Sequence, residues 1–76
     1  MNPKLPIVSG REAVSCFERL GYRVVRQRGS HIRLHHPDGG RRKPLTIPDH
    51  HALGKGLLRK LLRDADISIE RFLQLL

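Results

Sequence analysis

Disulfide chemistry, base-stacking platforms and membrane-spanning runs are all missing from this 76-residue sequence. Cys16 is the single cysteine, so no internal disulfide can form. It falls among apolar helical positions, where a lone cysteine acts as a small core residue, and nothing points to an oxidising compartment. Tryptophan is absent, and the aromatics reduce to Phe17, Tyr22 and Phe72. Only Tyr22 is placed to stack on a base, whereas single-strand binders that read bases offer several such platforms. No apolar run exceeds two residues. That excludes a transmembrane helix and the apolar core of a signal peptide. No membrane partner is expected, and the expected location is cytoplasmic.

Acidic residues are also scarce, with 7 Asp plus Glu against 15 Lys plus Arg, a formal net charge of +8. Such an excess on so small a surface attracts polyanions, and phosphate contacts release condensed counterions, so binding should weaken steeply with salt. A chain this short forms one domain, residues 1–76, and buries only about 60% of its unfolded surface. Its core has room for one layer of helix against one layer of sheet, or a small bundle.

Residues Met1 to Val8, with Pro3 and Pro6, read as an extended lead-in that tucks Leu5, Ile7 or Val8 onto the domain. Ser9 and Glu12 form a capping-box pattern that opens a helix. Ala13, Phe17 and Leu20 recur at helical spacing, and Gly21 suits the left-handed residue that closes it. Tyr22 to Arg28 is rich in β formers and reads as a strand. Ser30 to His36 alternates as a second, with Ile32 and Leu34 on one face and His31, Arg33 and His35 on the other. Pro37-Asp38-Gly39-Gly40 is a turn. Lys43 to Pro48 is a third strand, Leu45 and Ile47 inward and Thr46 outward, held to an edge by its prolines. After a loop over 49–55, Leu57, Leu58, Leu61 and Leu62 mark a helix, and Ser68 caps a short last one through Leu76. The fold class is α+β, a two-layer α-β-β-β-α sandwich of the dsRBD-like order with a short C-terminal helix. Order alone assigns no function.

The free sheet face carries the candidate chemistry. RNA can be cleaved when its 2′-hydroxyl attacks the adjacent phosphorus, provided a base takes the proton, and no metal is required in principle. Histidine can serve as that base or as the acid for the leaving oxygen near neutral pH. His31 points to the basic face beside Arg26, Arg28 and Arg33, so by position it is either such a group or a surface histidine without a role. Gly29 allows a close phosphate approach or simply a turn. Ser30 can bond a phosphate, orient His31 or merely close the turn. Arg41, Arg42 and Lys43 extend the positive footprint. His50 reads as a second proton-transfer group or phosphate donor near His31, or as a loop-packing histidine. His31 and His35 lie roughly 13 Å apart at about 3.3 Å per strand residue, too far to share an ion. Lacking a carboxylate or thiol at ligand spacing, the sequence implies no metal and no small-molecule cofactor.

An ordered series of segments resembles the HicA family of toxin mRNA interferases. Leu5-Pro6 before the Ser-capped helix, Leu20-Gly21-Tyr22, Val24 to His31 with its Gly29-Ser30-His31 core, and His36-Pro37-Asp38-Gly39-Gly40 each resemble family segments. Leu45-Thr46-Ile47-Pro48 with His50, Lys55-Gly56 before Leu58 to Leu62, and Ile67-Ser68 to Phe72 continue the series. One position departs: the family commonly has Gly-Thr where this chain has Gly56-Leu57, and Leu57 has no hydroxyl to offer a phosphate. The resemblance implies an endoribonuclease that cleaves mRNA, arrests growth and uses His31 as catalytic residue, and the chemistry above makes the expected enzyme metal-independent. The resemblance also implies a partner, a HicB-like antitoxin that covers the active site. The alternatives are a non-catalytic RNA-binding module of the same fold, and an interaction protein whose basic face meets an acidic partner.

Overall fold

The computed structural model describes residues 4–76; Pro3 and the start of the lead-in lie outside the described residues. The elements run α1 (Gly10–Arg19), β1 (Arg23–Arg28), β2 (His31–His35), β3 (Leu45–Pro48), α2 (Lys55–Asp64) and α3 (Ile69–Leu75). The three strands form one antiparallel sheet in the order β1-β2-β3. The α+β sandwich expected from the sequence is therefore present, with the short third helix after it.

The capping box forms as the sequence predicts. Glu12 N–H donates to the Ser9 hydroxyl at 3.0 Å, and the Glu12 carboxylate accepts from Ser9 N–H at 2.9 Å. Gly21, at φ 112°, follows the helix end. It also approaches a side chain, since a Cβ there would sit 2.7 Å from His36 Nε2. Ser68 caps α3 through Arg71 N–H. α2 starts at Lys55 after Gly54, with no side-chain cap.

Alternation on β2 and β3 sorts the two faces. Ile32, Leu34, Leu45 and Ile47 are buried against Phe17, Leu58, Leu61 and Phe72 from the helices. Cys16 is buried there as well, and burial pushes its thiol up from the ordinary value. In the lead-in, Val8 is buried and its carbonyl accepts from Leu53 N–H, whereas Ile7 stays exposed. Gly10 abuts the end of β3 so tightly that a Cβ would overlap the Pro48 carbonyl oxygen.

β1 differs from its neighbours in two respects. Every residue on it is exposed, including Val24 at 44% and Val25 at 50%, because it lies at the sheet edge beyond the helical cover. A bulge also interrupts the ladder: Val24 pairs with Leu34, but Arg26 pairs with Arg33, leaving Val25 as an extra residue. Strict alternation would have put Arg26 and Arg28 on the face of Val24. The bulge shifts the phase and delivers both to the other face.

Two expectations are corrected. Tyr22 does not stack on a ligand, for it is 2% exposed. Its ring packs edge-on against Phe17 and His36, and its hydroxyl donates to the Lys43 carbonyl at 2.8 Å. Burial pushes this phenol up to about 12. Arg42 is not part of a free positive footprint. It is mostly buried and binds Asp38 through both backbone and side chain. Burial alone would raise the Asp38 carboxyl. The Arg42 N–H, His36 and the Arg42 guanidinium outweigh that and hold it below the usual range. His36 completes this knot, Nε2–H donating to the Leu20 carbonyl at 3.0 Å and Nδ1 lying 3.5 Å from Asp38. The 37–44 loop is thereby tied to the end of α1.

Candidate functional site

The free face of the sheet is organised in rungs. Arg28, His31 and Pro48 are aligned across the three strands, and Arg26, Arg33 and Thr46 form the next rung. Arg23 opposite His35 forms a third. Directly opposed side chains on one face stand about 5 Å apart at Cβ, so the first two rungs make one continuous patch.

That patch is an open groove of about 300 Å³ lined by Arg26, Arg28, His31, Arg33 and Thr46. The Gly29-Ser30 turn closes the β1–β2 hairpin at its rim, with Gly29 at φ 56°, a conformation that costs glycine little at a two-residue turn. Ser30 is spent on structure through its backbone, whose carbonyl accepts from Asp49 N–H at 2.6 Å. That bond pins the turn to the exit of β3 and holds His31 at the start of its strand. Arg33 donates to the Thr46 hydroxyl at 2.8 Å, which fixes its guanidinium across the groove floor.

Among the described residues, no carboxylate neutralises the groove: Arg26, Arg28 and Arg33 have no acidic partner, while Arg11, Arg41, Arg42 and Lys60 each have one. Arg26 and Arg33 also oppose each other directly, an arrangement that costs stability between like charges. A bound anion would remove that cost, and the groove sets this unneutralised positive charge beside the His31 imidazole.

The sequence-predicted residues therefore divide. Arg26, Arg28, His31 and Arg33 come together. Gly29 and Ser30 sit at the adjoining turn. His50 does not line the groove: its carbonyl accepts from Gly10 N–H at 2.9 Å, which ties its backbone to the start of α1. Thr46 is the groove residue that sequence reasoning did not single out. Its outward place on β3 was visible, but its bond to Arg33 depends on the β2–β3 register. Leu57 packs half-buried against the core, so it is a packing residue at the first turn of α2. Among the described residues, no three His, Cys, Asp or Glu side chains gather to hold a metal, and no helix is long and apolar enough to cross a membrane.

Residues 10–67 match the family described as the HicA toxin of bacterial toxin-antitoxin. The chain belongs to the HicA toxin family. It is thus a toxin of a toxin–antitoxin system, a class whose members work against an antitoxin partner. The matched span runs from the first residue of α1 to the residue before the α3 cap, and so includes the whole groove. No match to a curated protein was found.

Proposed function

We propose that this HicA toxin is an endoribonuclease that cleaves mRNA on the free sheet face, with His31 as the general acid–base group. The observation that carries this reading is the placement of one exposed imidazole in a groove with three arginines, none paired to an acid. The arginines bind the scissile phosphate and stabilise the charge that builds on its oxygens, the role in which preorganised donors contribute most. His31 takes the proton of the 2′-hydroxyl as the 2′-oxygen bonds to phosphorus. The bond from phosphorus to the 5′-oxygen breaks, and that oxygen takes up a proton from the His31 imidazolium so formed or from water. The products are a 2′,3′-cyclic phosphate and a free 5′-hydroxyl. A single proton-transfer group of this kind contributes about 10²–10⁴-fold, a modest rate that suits a toxin acting on many messages.

Inhibition follows from the same surface. A HicB-like antitoxin that lays acidic side chains over the groove satisfies the unpaired arginines and excludes RNA. The action takes place in the cytoplasm, where mRNA and the antitoxin are present, and needs neither metal nor small-molecule cofactor.

The test compares wild type with His31→Ala on a long mRNA in EDTA, beside a binding assay on the same RNA. Cleavage by wild type, with binding but no cleavage by the variant, supports the enzyme. Equal binding with no cleavage by either protein replaces it with a non-catalytic RNA-binding module.

A further inference from the structure

A second concentration of positive charge lies on α2, on residues that play no part in the groove. Lys55, Arg59 and Arg63 follow one another at i, i+4 and i+8, and all three are exposed. Each step is about 6 Å of helix rise, about 12 Å in all. Among the described residues none of the three has a side-chain hydrogen bond or an acidic partner. The one acid on the helix, Asp64, is taken by Lys60 at 2.7 Å, and Asp66 just beyond it is taken by Arg41 at 3.0 Å.

This arrangement works against the helix that carries it. Like charges at i, i+4 repel. Lys55 opens the helix at the positive end of its dipole, the first turn holds no acid, and Gly54 supplies no side-chain cap. The other two helices are treated differently: α1 has Ser9 and Glu12, and α3 has Ser68 and Glu70. The electrostatic deficit is therefore confined to α2.

The character of the surface indicates what relieves it. Among the described residues, the large apolar side chains that are exposed, Ile7, Val24, Val25, Leu73 and Leu76, all lie outside α2. Protein hot spots use aromatic and arginine anchors set in well-packed, desolvated pockets; this stripe has arginines but no exposed apolar surround in which a partner could bury them. A row of evenly spaced cations without apolar content matches a phosphate backbone.

We propose that the Lys55–Arg59–Arg63 face of α2 is a second RNA contact, gripping the phosphate backbone outside the His31 groove. It rests on the reading above in taking RNA as the ligand, but not on the chemistry assigned to His31. Its function is to hold a long message on the toxin independently of the phosphate being cleaved.

The experiment uses the full chain carrying His31→Ala, so that RNA stays intact, and measures affinity for a long unstructured RNA across a salt series. Two further sets are compared with it, K55Q/R59Q/R63Q on α2 and R26Q/R28Q/R33Q in the groove. For the α2 set the slope of log affinity against log salt is expected to fall by about 2, at about 0.7 per phosphate contact on a single strand. The melting temperature should change little, because repulsion along the stripe is removed while the favourable placement of Arg63 in the last turn is lost. An unchanged slope and affinity for the α2 set would overturn the proposal, and loss of antitoxin binding in its place would assign the face to an acidic protein. If the groove set loses RNA and the α2 set does not, the inference fails and the groove reading stands. If the α2 set loses RNA and the groove set does not, the groove reading fails and the inference stands.

Discussion

Arg28 and His31 face each other across the β1–β2 ladder, one on each side of the Gly29-Ser30 turn. The shortest connection in the sheet thus joins a fixed positive charge to a group that can exchange a proton. Both reach the same ligand from adjacent strands, yet they make different demands on it. Arg28→Ala is expected to weaken RNA binding and slow cleavage together, whereas His31→Ala abolishes cleavage and leaves affinity nearly intact. Single-turnover rates beside equilibrium binding separate the two. A His31→Ala variant that loses affinity as severely as Arg28→Ala would make the imidazole a binding group.

Thr46 positions Arg33 through the bond between its hydroxyl and the guanidinium. Thr46→Val keeps the shape and removes the acceptor. The expected cost is about 1 kcal/mol, roughly fivefold in RNA affinity, with stability little changed because the site is exposed. Thr46→Ser should restore the affinity. Equal affinity in all three proteins would show that Arg33 orients without help.

Tyr22 offers a pH readout free of interference, because it is the only tyrosine and no tryptophan is present. Its folded value is raised to about 12, above the unfolded value of about 10. The protonated phenol is the form the fold favours. Its stabilising contribution is therefore complete below about pH 10 and is lost as pH rises from there toward 12. Tyrosinate absorbance should stay low until that window and then rise together with unfolding. A transition near pH 10 in a protein that remains folded would contradict the burial of this hydroxyl.

Gly10 has no room for a side chain against the Pro48 carbonyl. Gly10→Ala must displace the start of α1 from the end of β3, at a cost of about 1–3 kcal/mol, even though alanine is the better helix former. Thermal melting of the two proteins measures it. An unchanged or higher melting temperature would mean that the two elements separate without penalty.

Local chemistry made most of this fold legible before any coordinates. The Ser9–Glu12 box, the Gly21 stop and the alternation of Ile32 with Leu34 and of Leu45 with Ile47 each depend on residues only a few positions apart. The grouping of His31 with Arg28 and Arg33 followed from that alternation and a two-residue turn. β1 was less readable. Its arginines at 23, 26 and 28 are spaced by three and then two, a slip in phase that a bulge at Val25 resolves and that periodicity alone leaves ambiguous. Tyr22 was misjudged because its partner is tertiary, and Arg42 because its partner, Asp38 four residues earlier, sits in an irregular loop whose geometry periodicity does not describe. The carbonyl that holds Tyr22 is 21 residues away, and the knot of His36, Asp38 and Arg42 forms only when the loop folds back onto α1. His50 drew notice by its place in the loop just after the third strand; the backbone of that loop holds Gly10, and His50 is not among the residues lining the groove.

The sealed position of Cys16 makes this molecule unusually easy to address with reagents. Its sulfur is out of reach of solvent and its thiol resists ionisation, so a maleimide has nothing native to attack while the domain is folded. A cysteine introduced at an exposed site such as Gln74 would then be the sole reactive handle, ready for a fluorophore or a surface tether with the wild-type core left untouched.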